Sequence, residues 1–437
     1  MEFYKEERLK FVEELGCEVP EDWEVVRLGK LVSYVKGKKP KVIVNSAEIG
    51  LPYLSTEYLR NGIANQFVKL TGEEIVVDDG ELIVLWDGSN AGELFLSKKG
   101  VLSSTCVKLT LKRKECYKLF LFYLLKYRAE PILKSQTKGT GIPHVDKNVF
   151  NSVLISFPPL PEQKAIAEIL STVDEAIQKT DEIIARVERL KKGLMQELLT
   201  GKVRVKVENG KISFYKEERL KFVEDLGCEI PEDWEVVRLG DTGKIVNGFA
   251  FPLKYQGKKN GKYLFVKVND TNLPENSKYI QTAENTIDDE IAKELKVKIY
   301  PKGTIIFPKI GMVIYLRKVR ILAREGTFDN NIMGIVPNNE KVYNEFLYYY
   351  MLEKIDLTKI AGATTTPSIR KSDVEELKIP LPPLEEQKAI AEILSTLDKK
   401  LEIEKKEKER LERIKKGLMD VLLTGKVRVK VDERERD

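Results

Sequence analysis

With 437 residues, the chain has room for two to four domains of roughly 100–200 residues and a sizeable core. Hydrophobic residues make up 42 % and charged residues 33 %, no run approaches about 18 uncharged apolar residues, and Met1–Glu7 lacks the apolar core of a signal peptide; a spanning helix is excluded and a cytoplasmic location is expected. Four cysteines without a Cys-x-x-Cys pair, and a single histidine, His144, exclude a disulfide framework, an imidazole-rich metal site and any mechanism that needs two imidazoles.

The first element is a box at residues 3–29, FYKEERLKFVEELGCEVPEDWEVVRLG. It returns at 214–240 with two changes, Glu14 to Asp225 and Val19 to Ile230. A period of this kind marks a duplicated unit and governs the reading of everything after it. A variable segment, 30–157, follows the first box. In it Lys36, Lys38, Lys39 and Lys41 form a basic run suited to phosphates. Gly80–Val84 and Val107–Leu111 are expected to be buried strands, and Tyr117–Leu133 an amphipathic helix. The loop from Lys138 to Lys147 brings Lys138, Thr140, His144 and Lys147 as candidate contacts.

PPLPEQKAIAEILSTVD at 158–174 then opens a long helix. Pro161 sits where a helix begins and Glu162 complements its dipole. Apolar residues recur at heptad spacing: Ile166, Leu170, Val173, Ile177, Ile184, Val187, Leu194 and Leu198. Thr180 and Lys191 interrupt the seam. The helix is expected to run about 38 residues to Thr200-Gly201, on the order of 57 Å, and it ends in the tail KKGLMQELLTGKVRVKV at 191–207.

The order then repeats. The second variable segment, 241–381, is 13 residues longer than the first and unrelated to it at first sight. It has its own lysine run (Lys254, Lys258, Lys259, Lys262), expected strands at Gly303–Phe307 and Ile332–Val336, and an expected helix at Tyr343–Ile355. Its loop, Gly362 to Lys371, aligns with the loop of the first segment. Thr364, Thr365, Thr366, Ser368, Arg370 and Lys371 there supply the hydroxyls and cations that base edges and phosphates require. PPLEEQKAIAEILSTLD at 382–398 and KKGLMDVLLTGKVRVKV at 415–431 close the copy. The second seam is Ile390, Leu394, Leu397, Leu401, Leu411, Leu418 and Leu422, interrupted at Glu404, Lys408 and Lys415.

Charge divides along the same lines. Segment 30–157 holds 19 Lys and Arg against 12 Asp and Glu; segment 241–381 holds 22 against 17; the frame holds 33 against 40. Basic inserts on an acidic frame point to a polyanion held by the inserts. Lys and Glu dominate and Gln is scarce, a usage that accompanies hot habitats.

Each long amphipathic helix needs a partner in water, and the chain supplies two. Packed about a pseudo-twofold axis, they run antiparallel. The expected fold is α+β: two similar mixed α/β recognition domains separated by two long antiparallel coiled-coil helices. The expected boundaries are 1–157 for the first box and domain, 158–213 for the first helix and tail, 214–381 for the second box and domain, and 382–437 for the second helix and tail. The apolar helix face left over is expected to dock a further protein, with Leu194 and Leu418 as the positions that test it.

No catalytic motif stands out. Gly139-Thr140-Gly141 neither follows a strand nor opens a helix, so it fails the dinucleotide pattern, and no phosphate loop is present. Glu162-Gln163-Lys164 and Glu386-Gln387-Lys388 have the spacing of a nuclease Glu-x-Lys, but both fall on the first turn of a long helix, where a structural role is expected.

Two variable basic segments, each closed by PPLxEQKAIAEILS and followed by LLTGKVRV, resemble the specificity subunit of a type I restriction–modification system. The resemblance covers the whole chain, and the P-P-L-x-E-Q segments at 158–163 and 382–387 are its specific part. It implies a non-catalytic subunit whose two domains each read one half of a split, asymmetric DNA sequence while the helices measure the unread spacer. Partners would be double-stranded DNA, two methylation subunits and the translocating restriction subunits. S-adenosylmethionine, ATP and Mg²⁺ would belong to those partners and no cofactor to this chain. The residues alone also allow a solitary DNA-binding or architectural protein, an adaptor that spaces two protein-binding domains, and a Mg²⁺-dependent endonuclease.

Overall fold

The computed structural model describes residues 2–137, 142–208, 210–362 and 367–431. The chain forms two compact units, residues 1–182 with 405–437, and residues 183–404. Each contains one variable-segment domain, the start of one long helix and the end of the other.

In the first unit a four-stranded sheet runs in the order Leu94–Leu96, Leu82–Leu85, Cys106–Leu111, Val32–Lys36. Leu82–Leu85 is buried along its whole length and the strands are rich in Val, Ile and Leu, as a sheet covered on both faces requires. A five-stranded sheet of short strands lies beside it in sequence, from Ile43–Val44 to Gly100–Leu102. The helix expected near 117–133 is present as Lys118–Leu124, a π turn at Leu125–Ala129, and Glu130–Ser135. Glu24–Arg27 of the box pairs antiparallel with Leu154–Phe157, just before the Pro-Pro pair. The segment between them is thereby closed into a domain.

The second unit repeats the plan. Its main sheet runs Gly243–Asn247, Ile332–Pro337, Ile305–Pro308, Arg320–Leu322, Tyr279–Ile280, so four strands match the first sheet in order and direction of connection. Glu235–Arg238 pairs with Lys378–Leu381, and Asn344–Glu353 is the equivalent helix. The inserts therefore share a fold beneath unrelated sequences.

The long helices are Leu160–Leu198 and Leu384–Leu422, 39 residues each, roughly 58 Å at 1.5 Å per residue. In the first unit Asp174 meets Lys415 at 2.5 Å and Asp181 meets Lys408 at 2.7 Å, so the first number rises as the second falls and the helices run antiparallel. In the second unit Lys191 meets Asp398. A tyrosine from each domain joins these pairs: Tyr123 donates to Asp174 at 2.8 Å and Tyr349 to Asp398 at 2.5 Å.

At their ends the helices pack on each other and on a globular domain at once, which the simple heptad reading did not include. Ile166, Leu170 and Leu422 belong to the core of the first unit with Phe120, Leu124 and Phe157. Ile390, Leu394 and Leu198 join the core of the second with Phe346 and Tyr349. A heptad identifies a buried face, and here a globular domain covers much of it. Leu401 is buried; Val173, Ile177, Val187, Leu397 and Leu411 are half-buried.

Each tail docks on the start of the other copy's frame. Val203–Glu208 pairs with Lys211–Lys216, and Val427–Lys430 pairs with Glu2–Lys5, both antiparallel. Arg428 thereby reaches Glu162, and Arg204 reaches Glu386, in closely matching clamps. The neighbouring glutamine is equally fixed. Gln163 accepts from Tyr117 N–H at 2.8 Å and donates to Glu115 and Pro158 carbonyls at 2.9 and 2.8 Å; Gln387 makes the equivalent bonds to Tyr343, Lys341 and Pro382. The Glu-Gln pair of P-P-L-x-E-Q thus joins helix, tail and domain. Its glutamates answer a buried arginine and are not open to solvent.

Candidate nucleic-acid interface

In each domain one edge of the main sheet gathers a strand end, a neighbouring strand end and the described part of the loop that carries the candidate contacts. In the first, Val32–Lys36 runs out at Gly37, whose N–H donates to the Cys106 carbonyl at 3.0 Å. A Cβ at Gly37 would lie 2.1 Å from the Ser103 carbonyl oxygen, so no other residue lets the strand leave the sheet on this path. Lys36 Nζ meets Asp87 at 2.6 Å. The loop lies across this edge: Gly88 N–H donates to the Pro143 carbonyl and Val145 N–H to the Trp86 carbonyl, both at 2.9 Å, which sets His144 opposite Asp87. Beneath, Trp86 stacks on Tyr34 with centroids 5.0 Å apart and meets Phe150 edge-on at 5.4 Å. A cation, a carboxylate and an imidazole therefore stand together on a rigid aromatic base.

The second domain builds the same edge from different chemistry. Gly248 ends Gly243–Asn247, and a Cβ there would lie 1.8 Å from the Asp329 carbonyl oxygen. Lys309 Nζ donates to Asn247 Oδ1 at 2.8 Å, and burial holds its ammonium below the ordinary lysine value. Gly311 N–H donates to the Pro367 carbonyl at 2.8 Å and Ile369 N–H to the Lys309 carbonyl at 2.9 Å, so Ser368 sits opposite Ile310 as His144 sits opposite Asp87. The aligned loops occupy equivalent places.

The candidates named from sequence fall into three groups. Lys36 and His144 come together, with exposed Lys38 and Lys39 following Gly37. Ser368 joins the second edge, and Arg370 and Lys371 lead from it into the helix Lys371–Glu375, where Lys371 pairs with Glu375 at 3.3 Å; Lys147 opens the equivalent helix Lys147–Ser152, capped by Asp146. A second group is engaged within its own domain. Lys41 pairs with Glu73 at 2.5 Å, Lys258 with Asp288, Lys254 with Glu294 and Lys262 with Asp289, the last two at 2.9 Å. Lys259 is exposed on the same turn. Lys138, Thr140, Thr364, Thr365 and Thr366 lie outside the described residues.

Sequence reasoning missed Asp87, Asn247 and Lys309, because apolar strands give no sign of which end meets a distant loop. It also missed Met312, Tyr315 and Leu316, which stand 70, 53 and 62 % exposed beside the second edge. No element is expected from sequence at Met312–Leu316, which forms a short 3₁₀ helix. Leu194 and Leu418 are not a free docking face either. Both are half-buried against the core of their own unit, and the large apolar residues exposed on the long helices are Ile183, Leu190, Ile403 and Ile414.

Among the described residues, no group of three or more His, Cys, Asp or Glu could hold a metal ion. No helix among them is long and apolar enough to cross a membrane. The Cys106 and Cys116 thiols are buried, and burial pushes each up to about 11.

Comparison with known proteins gives a consistent result. The domain described as "Type I restriction modification DNA specificity domain" matches twice, over residues 20–189 and 231–413. The chain is 43 % identical to the type I restriction enzyme MjaVIII specificity subunit of Methanocaldococcus jannaschii over 98 % of both chains. It is 32 % identical to the putative MjaX specificity subunit of the same organism, over 98 % of this chain and 99 % of that one. Among solved structures, the type I restriction–modification S subunit from M. genitalium shares the fold, with a TM-score of 0.60 at 18 % identity, covering 92 % of this chain and 96 % of the other.

Proposed function

The chain belongs to the family of type I restriction–modification DNA specificity subunits, and from that premise we propose that its two target-recognition domains read the two halves of a split, asymmetric DNA sequence. One observation carries this: the same loop-on-strand-end edge occurs twice on a nearly identical frame, once with Lys36, Asp87 and His144 and once with Asn247, Lys309 and Ser368. Hydroxyl, amide, imidazole and ammonium groups are the donors and acceptors that distinguish base edges, and they differ between the two domains. The exposed lysines that follow supply phosphate contacts that fix register.

The unchanged acidic frame holds the partners. Two near-identical copies suit two methylation subunits, and restriction subunits join that assembly; a solved structure with the same fold is titled for complex assembly of the type I system. The chain is non-catalytic in this scheme. Glu162 and Glu386, the acids of both Glu-x-Lys segments, are buried in arginine clamps, which supports a structural rather than a nuclease role. S-adenosylmethionine, ATP and Mg²⁺ act in the partner subunits.

The test is co-expression with the methylation subunit encoded beside it, followed by methylation mapping of host DNA. A single split motif, with adenine methylated on both strands, is the expected result. No complex and no motif would sink the proposal in favour of a solitary DNA-binding protein.

A further inference from the structure

We infer that Met312, Tyr315 and Leu316 form an apolar wedge that enters the DNA at the half-site read by the second domain and opens one base step there. The wedge rests on the DNA-reading role proposed above and gives that role a mechanism in one domain only. Three side chains of this kind, 70, 53 and 62 % exposed, stand on one five-residue turn, Met312–Leu316. In a 3₁₀ helix residues three apart eclipse, so Met312 and Tyr315 project together, with Leu316 next to them. Burying them in the unit's own core is not an option the fold uses: Ile314, between them, is 1 % exposed and takes that place.

The turn is held firmly. Gly311 enters it at φ +84° and Arg317 leaves it in the left-handed region at φ +47°. Ile314 N–H donates back to the Gly311 carbonyl at 3.1 Å, and Arg317 pairs with Asp356 at 3.3 Å. A preformed apolar tip loses little entropy when it is buried in a partner.

Position and charge identify the partner. The turn is tied to the recognition loop by the Gly311–Pro367 hydrogen bond, so it shares the edge that carries Ser368. Lys309, which donates to Asn247, stands before it. Arg317, paired with the half-exposed Asp356, and Lys318, which donates to Asn272, stand directly after; these surface partners are exchangeable for phosphate oxygens. Apolar tips between cations match a groove with phosphates on both sides and base faces within, and Met and Leu are among the residues that unstack base steps there. The first domain has Ser89 and Asn90 at the equivalent turn, exposed and polar. The wedge therefore belongs to one half-site.

The experiment uses the full chain assembled with its methylation subunits, on duplexes of the mapped target carrying 2-aminopurine at successive steps in either half. Beyond the rise at each methylated adenine, which the methylation subunits flip out of the stack, one further rise is expected, at one step in one half only. The combined variant Met312→Ser, Tyr315→Ser, Leu316→Ser should lose that rise and bind the target roughly 5- to 150-fold more weakly. Because all three side chains are exposed, its thermal unfolding should match that of the parent. A variant that binds as the parent does, with no rise beyond the methylated adenines in either protein, overturns the wedge while the mapped motif leaves the DNA-reading role standing. Loss of assembly with the methylation subunits, with DNA affinity unchanged, also overturns it and makes the tip a protein contact. No split motif at all removes the reading and the wedge together.

Discussion

Arg428 faces Glu162 in a two-point clamp, with Nε to Oε1 and Nη2 to Oε2 both at 2.7 Å. The arginine side chain is 6 % exposed and the glutamate 5 %. Asp22 and Glu6 complete the arginine's shell at 2.9 and 2.7 Å. Burial alone would lower the guanidinium, but the carboxylates of Glu162 and Asp22 outweigh it and hold it above its ordinary value. Removing one partner from a buried pair costs about 3–5 kcal/mol, because the other charge is left uncompensated. Arg428→Ala is therefore expected to lower the unfolding free energy by about that amount, read by urea unfolding. Arg428→Leu combined with Glu162→Leu should recover part of the loss. Equal losses in the single and double variants would show that the clamp is not a charge pair in energetic terms.

The same clamps give the protein a defined acid limit. In Asp233, the hydrogen bond from Arg204 comes first and holds the carboxyl below the usual range. In Asp22, burial pushes upward but Arg428 outweighs it, and the net direction is again down. A carboxyl depressed in the folded state binds more protons when unfolded. Its contribution is complete above the unfolded value, near 4, and is lost as pH falls through the folded value. The melting temperature is expected to hold between pH 5 and 7 and to fall steeply below about 4. Asp22→Asn should flatten that fall. An unchanged acid slope in the variant would remove Asp22 from the account.

Much of this organisation was legible in the sequence, for reasons that can be named. Near-identical boxes marked the duplication, and the loops ending in Lys147 and Lys371 aligned because both must span the same gap between a domain helix and the strand before Pro-Pro. The long helices showed through their heptads. What the heptads did not disclose was the covering surface. Ile166 and Ile390 are buried in cores shared between a domain and the end of the other helix, and periodicity is blind to the domain's part in that. The exchange of tails was hidden as well, since Arg204 and Glu386 are far apart in sequence and neither carries a local signal. The lysine runs did not separate side chains paired within their own domain from those at the loop-bearing edge. Lys41 and Lys258 are already neutralised by Glu73 and Asp288, whereas Lys309, alone among apolar neighbours in sequence, reaches the recognition edge.

Gly37 and Gly248 separate the two half-sites experimentally. Each terminates a recognition strand where a Cβ would collide with a backbone carbonyl oxygen, at 2.1 and 1.8 Å. Backbone cannot rotate away as a side chain can, so alanine must displace the strand end, at about 1–3 kcal/mol. Gly37→Ala is expected to weaken discrimination in one half of the target and Gly248→Ala in the other. Methylation of duplexes altered in either half is the readout. Loss of discrimination in both halves from a single glycine would contradict the assignment of one half to each domain.

The length of the helices supplies the last prediction. Seven residues removed from each, between Asp181 and Lys191 in the first and between Asp398 and Lys408 in the second, leave the three interhelical ion pairs and both domain cores intact. A heptad also preserves the apolar stripe, because two turns restore nearly the same face. The deletion shortens each helix by roughly 10 Å, which corresponds to about three base pairs at 3.4 Å per pair. Methylation mapping of the doubly deleted chain with its methylation subunit should return the same two half-sites with a spacer about three base pairs shorter. Half-sites face the same side of the duplex only near whole turns, roughly 34–36 Å, so methylation should also slow. An unaltered spacer would show that the helices hold the domains together without measuring the distance between the sequences they read.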